Sequence, residues 1–115
     1  MQFVALIHAK ESDWEALTDE ERQAVYQRYG DFGQRDEVVG GAELESTSSA
    51  TTVRVRNGDR LVTDGPYAEA KEALGGYYIL ECDSIDEACR LAAVLPAADY
   101  NVAIEIRPVY VREES

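Results

Sequence analysis

Every residue from position 3 to position 7 is apolar. In a strand, alternate side chains point to opposite faces, so Phe3, Ala5 and Ile7 point one way and Val4, Leu6 and His8 the other. A strand that is apolar on both faces belongs in the middle of a sheet, with cover on both sides. The pattern predicts such a strand over residues 2–8, and the rest of the chain must supply its neighbours and its cover. The run is far shorter than the roughly 20 apolar residues a membrane helix needs. No basic segment precedes it, as one would in a secretory leader. The expectation is a cytoplasmic protein with no membrane partner.

Trp14 and Leu17 follow in a short polar stretch, about one helical turn. Thr18-Asp19-Glu20-Glu21 matches a capping box, with Thr18 as N-cap and Glu21 reaching back. The helix it opens carries Val25, Tyr29, Phe32 and Asp36 on one stripe. Gly30 and Gly33 each weaken that helix by about 1 kcal/mol, and close approach to a sheet is the expected return. Val38 and Val39 open a second strand, with a bend or bulge at Gly40-Gly41. Residues 51–56 and 60–63 flank Asn57-Gly58, a pair that tolerates positive φ and marks a two-residue hairpin. A turn at Asp64-Gly65-Pro66-Tyr67 leads, through Gly75-Gly76, to a strand over 77–82. Ser84-Ile85-Asp86-Glu87 reads as a second capping box. Its helix has an apolar stripe of Ile85, Ala88, Leu91, Ala92 and Leu95, and Pro96 ends it. The last strand spans 102–110, with Val102, Ile104 and Ile106 on one face and Ala103, Glu105 and Arg107 on the other.

The order is β-α-β, a hairpin insertion, then β-α-β, within a single domain over residues 1–115. Two such units predict an α+β, ferredoxin-like βαββαβ sheet of strand order 4-1-3-2, with both helices on one face. The other face then has no helix, although the first strand is apolar on that side too. A second copy of the chain is the simplest cover. The expected assembly is a homodimer whose sheets face each other, a dimeric α+β barrel.

Twenty-three acidic and 11 basic residues leave a net charge of −12, which disfavours nucleic acid as a partner. Cys82 and Cys89 fall in apolar-periodic segments and are expected as buried free thiols. With a single histidine they make no structural zinc site. No glycine-rich phosphate loop and no metalloprotease, nucleophile-elbow or dithiol motif occurs, so no cofactor and no metal are expected.

From Thr63 the chain reads Thr-Asp-Gly-Pro-Tyr-Ala-Glu-Ala-Lys-Glu-Ala-Leu-Gly-Gly-Tyr-Tyr. Asp64-Gly65-Pro66-Tyr67, Glu69, Lys71-Glu72 and Gly75-Gly76-Tyr77 strongly resemble the hallmark of the YCII-related family, in particular its DGPF branch. The likeness extends to the hairpin at 51–56, the Ser84 helix and the closing Glu105-Ile106-Arg107-Pro108-Val109, essentially the whole chain. The resemblance implies a dimeric α+β barrel. It also implies a cavity in which a His–Asp pair is the proposed catalytic centre of some relatives, with the histidine on the first helix. Here Tyr26 or Tyr29 occupies that region, and Asp64 stands at the aspartate of the motif. Some relatives resemble dehydrochlorinases of aromatic ring-cleavage pathways, and members of the branch occur beside sigma-factor-like regulators.

His8 ends the first strand, where an antiparallel third strand would bring the loop from Asp64 close. A His8–Asp64 contact would hold a neutral imidazole as a general base. Otherwise His8 is a satisfied strand-end residue, and Asp64 closes an Asx-turn before Gly-Pro. Tyr29 either packs in the core or reaches a pocket as a proton donor. Tyr67, Lys71, Glu72 and Tyr26 are candidate ligand-binding residues, Lys71 as counter-ion to an anionic ligand. Glu69, Lys71 and Glu72 also read as a solvated turn. Glu105 and Arg107 would need partners on a sheet-to-sheet seam, an interchain ion pair being the plain reading. Two functions follow. One is a cofactor-free lyase, isomerase or cyclase that moves protons on a small organic compound with Asp64 and either His8 or Tyr29. The other is a non-catalytic module that binds a small molecule or works with a protein regulator of the sigma-factor type.

Overall fold

The computed structural model describes residues 1–95 and 101–112. Strand β1 (Gln2–Ala9) is followed by the short helix α1 (Glu11–Glu15) and by α2 (Asp19–Gly33). Strand β2 (Val38–Glu43) leads through a 3-10 turn at Thr47–Ser49 to β3 (Thr51–Arg56) and β4 (Asp59–Asp64). Strand β5 (Ala73–Glu81), helix α3 (Ile85–Ala92) and β6 (Val102–Pro108) complete the mixed α+β chain. Four strands form one sheet in the order β2-β5-β1-β6, every neighbouring pair antiparallel. Among the described residues, strands β3 and β4 pair only with each other, as a separate two-stranded sheet.

The core lies between one face of the four-stranded sheet and the helices. Phe3 and Ala5 of β1 and Leu80 of β5 meet Phe32 of α2 and Ala88, Leu91 and Ala92 of α3. Fully burying a side chain of this size stabilises by about 1.5–3 kcal/mol, so the nonpolar face of β1 is a principal stabilising element. Among the described residues, β1 is fully covered on one side alone. Val4, Leu6 and His8 are only half-buried, and so are Tyr77 and Ile79, which stand opposite Leu6 and Val4 on β5.

Local sequence signals explain most boundaries. The Thr18 hydroxyl accepts from the Glu21 N–H at 3.1 Å, and the Glu21 carboxylate accepts from the Thr18 N–H at 2.9 Å. At α3 only half of the expected box forms. The Ser84 hydroxyl accepts from the Glu87 N–H at 3.1 Å, but Glu87 reaches one residue further back, to the Asp83 N–H at 3.1 Å. Asn57 (φ 53°) and Gly58 (φ 82°) both take the left-handed conformation their hairpin turn requires. The β2–β5 register slips between Val38 and Gly40, a bulge at Val39.

Several expectations are corrected. Asp36 is exposed and lies beyond α2, which stops at Gly33. A Cβ on Gly30 would meet nothing within 4 Å and one on Gly33 only Tyr78 at 3.8 Å, so neither glycine serves close approach. That role belongs to Gly41, at φ 150°, where a Cβ would collide with the Tyr77 carbonyl oxygen. Strand β5 begins at Ala73, so Gly75-Gly76 lie inside it. A Cβ on Gly76 would stand 3.0 Å from the Ala42 carbonyl of β2. Cys82 is buried, and burial pushes its thiol pKa up, but Cys89 is exposed. Pro96, expected to end α3, lies outside the described residues, and the helix ends before it at Ala92.

The two glycine environments predict opposite signs. Gly30→Ala is expected to raise stability by about 0.5–1 kcal/mol, whereas Gly41→Ala lowers it by more than about 1 kcal/mol. Urea midpoints of the two variants check this. The Thr18 hydrogen bonds hold the Glu21 carboxyl below its ordinary pKa. Its contribution is therefore present above the ordinary glutamate range and lost as pH falls through the lowered value. The stability gap between wild type and Glu21→Gln should be widest near neutrality and close on acidification, as followed by thermal melts across pH.

Candidate functional site

Helix α1 begins two residues after β1 and is too short to hold itself in water. Tertiary bonds fix it at both ends. The Glu11 carboxylate accepts from the Thr47 N–H at 2.7 Å and from the Thr47 hydroxyl at 2.9 Å. Arg22 of α2 donates to the Trp14 carbonyl at 3.2 Å and to the Glu15 carbonyl at 2.7 Å, capping the last turn, and pairs with Asp19. Held this way, the Trp14 ring meets the Tyr26 ring edge-on, with centroids 5.2 Å apart and planes at 77°. The Tyr26 hydroxyl donates to Glu43 of β2 at 3.2 Å. Deeper in, the Tyr78 hydroxyl donates to the Tyr29 carbonyl at 2.8 Å, and its ring lies edge-on to Phe32 at 4.9 Å.

These contacts enclose a cleft of about 480 Å³ on the helix-bearing side of the sheet. That is within the range of small-molecule sites. Trp14, Tyr26 and Tyr29 wall it from the helices, and Gly41, Gly75 and Gly76 leave bare backbone on the sheet side. Glu11, Glu15, Glu43 and Glu45 are its acidic lining residues. Burial, then the negative charge of Glu43, push the Tyr78 phenol above its ordinary pKa, so it stays a neutral donor.

Two of the residues singled out from sequence, Tyr26 and Tyr29, line this cleft. His8 follows Ile7, a lining residue, but its side chain is on the other face of the strand. There its Nε2 lies 3.2 Å from Glu105 Oε1 of β6, a pairing within the chain rather than across a seam. Asp64 ends β4 in the separate hairpin. It is exposed, and among the described residues no hydrogen bond joins it to His8 or to its own loop. The turn after Asp64 is nonetheless tightly held. Gly65 (φ 107°) donates its N–H to the Ala50 carbonyl at 2.7 Å, and its carbonyl accepts from the Thr52 hydroxyl at 2.7 Å. Tyr67 is 75% exposed, with the Arg54 guanidinium 5.0 Å from its ring centroid. Lys71 and Glu72 are exposed on the segment entering β5. Trp14, Glu11, Glu43 and Glu45 carried no assigned role in the sequence. The one available signal was a lone tryptophan in a polar stretch directly after a buried strand.

The fold and cleft together define a small α+β domain with a ligand-sized recess beside a four-stranded antiparallel sheet. Residues 1–112 match the YCII-related domain, and the chain belongs to that family. It is also similar to an uncharacterized protein of Rhizobium meliloti (strain 1021), 37% identical over 102 residues, covering 88% of this chain and 78% of that protein. Among the described residues no helix is long and apolar enough to cross a membrane.

Replacing Tyr78 by Phe removes the hydroxyl that holds the Tyr29 carbonyl and is expected to cost about 1 kcal/mol. Because the folded-state phenol pKa is raised, its contribution is full below the ordinary tyrosine pKa and is lost as pH rises through the raised value. Wild type should therefore lose more stability than Tyr78→Phe on alkaline titration, measured by denaturant midpoints.

Proposed function

We propose that this protein is a small-molecule-binding domain of the DGPF branch of its family, acting in the cytoplasm as a homodimer of ferredoxin-like protomers. The observation that carries the binding reading is the cleft of about 480 Å³ walled by Trp14, Tyr26 and Tyr29. Neither His8 nor Asp64 lines it, which favours binding over acid–base turnover in that recess. The homodimer reading is supported by the helix-free sheet face, where Val4, Leu6, Tyr77 and Ile79 are left half-buried. A second copy seated on that face would turn two open sheets into one barrel. A protein regulator of the sigma-factor type is the further partner that the resemblance suggests.

A catalytic reading rests on one specific contact, the His8 imidazole 3.2 Å from the Glu105 carboxylate on the helix-free face. In a barrel this pair would face the enclosed space and act as a cofactor-free general base for a lyase or isomerase.

A native mass spectrum tests the main reading. It is expected to report a species of about twice the 12.8 kDa chain mass. Leu6→Asp, which puts a charge on the proposed seam, should convert it to monomer. A wild-type monomer at micromolar concentration would remove the dimer. For the catalytic reading, His8→Gln keeps size and hydrogen bonding while removing the base. Any turnover that survives this change excludes His8 as its catalyst.

A further inference from the structure

We infer that the cleft between α1, α2 and the β2–β5 edge takes an organic cation, an ammonium group carried on an aryl or alkyl body. The inference rests on the binding reading above and names the class of ligand. Its first support is charge. Among the described residues, the cleft is lined by four glutamates and by no lysine, arginine or histidine. Its second is how three of those carboxylates are held. Glu11 accepts from the Thr47 N–H and hydroxyl, Glu43 from the Tyr26 hydroxyl, and Glu45 from the Ser49 hydroxyl at 3.2 Å. Every one of these donors is neutral. They orient the carboxylates without cancelling their charge, and the field of Glu43 reaches the Tyr78 phenol.

Aromatic walls supply the third support. Trp14, Tyr26 and Tyr29, one indole and two phenols, line the same space. Ring faces attract cations, the indole most strongly, and ring surfaces also cover an apolar body. An anion of the same shape would meet the glutamates as like charges. A neutral molecule would gain the rings alone. A cation gains both, so charge sets the preference and the volume sets the size.

The chain has a single tryptophan, and it stands on the cleft wall, so intrinsic fluorescence reads occupancy directly. Three probes of matched shape are titrated into the full-length protein: 2-phenylethylammonium, 2-phenylethanol and 3-phenylpropionate. The expected result is saturable quenching or shift of Trp14 emission, with the ammonium at least about tenfold tighter than the carboxylate and weakened by added salt. Glu43→Gln, an isosteric change at an exposed position, should weaken the ammonium several-fold and leave the alcohol unchanged, with circular dichroism confirming the fold. A carboxylate that binds as tightly as the ammonium overturns the cation preference and leaves the cleft as a binding site. Failure of all three probes at millimolar concentration overturns the cleft reading itself, and the cation inference with it.

Discussion

The two antiparallel ladders of β1 hold the structure together. Every residue from Phe3 to Ala9 is matched on both edges, to β5 on one side and β6 on the other. Backbone groups that are buried must find partners, and β1 finds them in strands drawn from the far half of the sequence. Phe3, Ala5 and Ile7 then point into the core, and α2 and α3 are set by what those side chains touch. The cleft depends on the same strand. Ile7 and Ala9 form part of its floor, and α1 starts almost at once after β1 ends. One strand thus supports the core, the recess and, on its reverse side, the His8–Glu105 pair.

What was legible in the sequence was local. Thr18 and Glu21 satisfy each other over three residues, and no distant contact is needed to recognise that pattern. Asn57-Gly58 declares its turn through backbone sterics alone. The Ser84 box was half-legible, because the Ser84 hydroxyl takes the Glu87 N–H as the pattern predicts while Glu87 takes the Asp83 N–H in place of that of Ser84. The roles of the glycines were not legible. Gly41 and Gly76 are needed where β2 and β5 cross closely, and only the pairing of two remote segments reveals that.

The cleft was the least legible feature for the same reason. Its walls come from α1, α2, β2 and β5, and its key bond joins Glu11 to Thr47 across 36 positions. Tyr26 and Tyr29 were visible because the resemblance puts them where relatives carry a histidine on the first helix, whereas no pattern in the sequence marks Glu43 or Glu45. The partner of His8 shows the limit of topological reasoning. Antiparallel pairing brings the start of β5 to His8, but the hairpin carries Asp64 away into its own sheet. Glu105 reaches His8 from the other neighbour, two positions along from Ala103, on a diagonal of the same sheet face.

The separate hairpin has a consequence for how the molecule comes apart. Among the described residues the backbone ladder of β3 and β4 joins them only to one another, and Val53, Val55 and Val62 are more than half exposed. The chain is correspondingly spread, with a radius of gyration of 16.4 Å. A compact chain of about 100 residues has about 13 Å. Nothing in the hairpin's ladder requires the four-stranded sheet to open with it. Its amides are free to exchange with solvent through small local openings, while those of β1 wait for global unfolding. The separate ladder thus gives one short chain two places to open, the hairpin ahead of the four-stranded sheet.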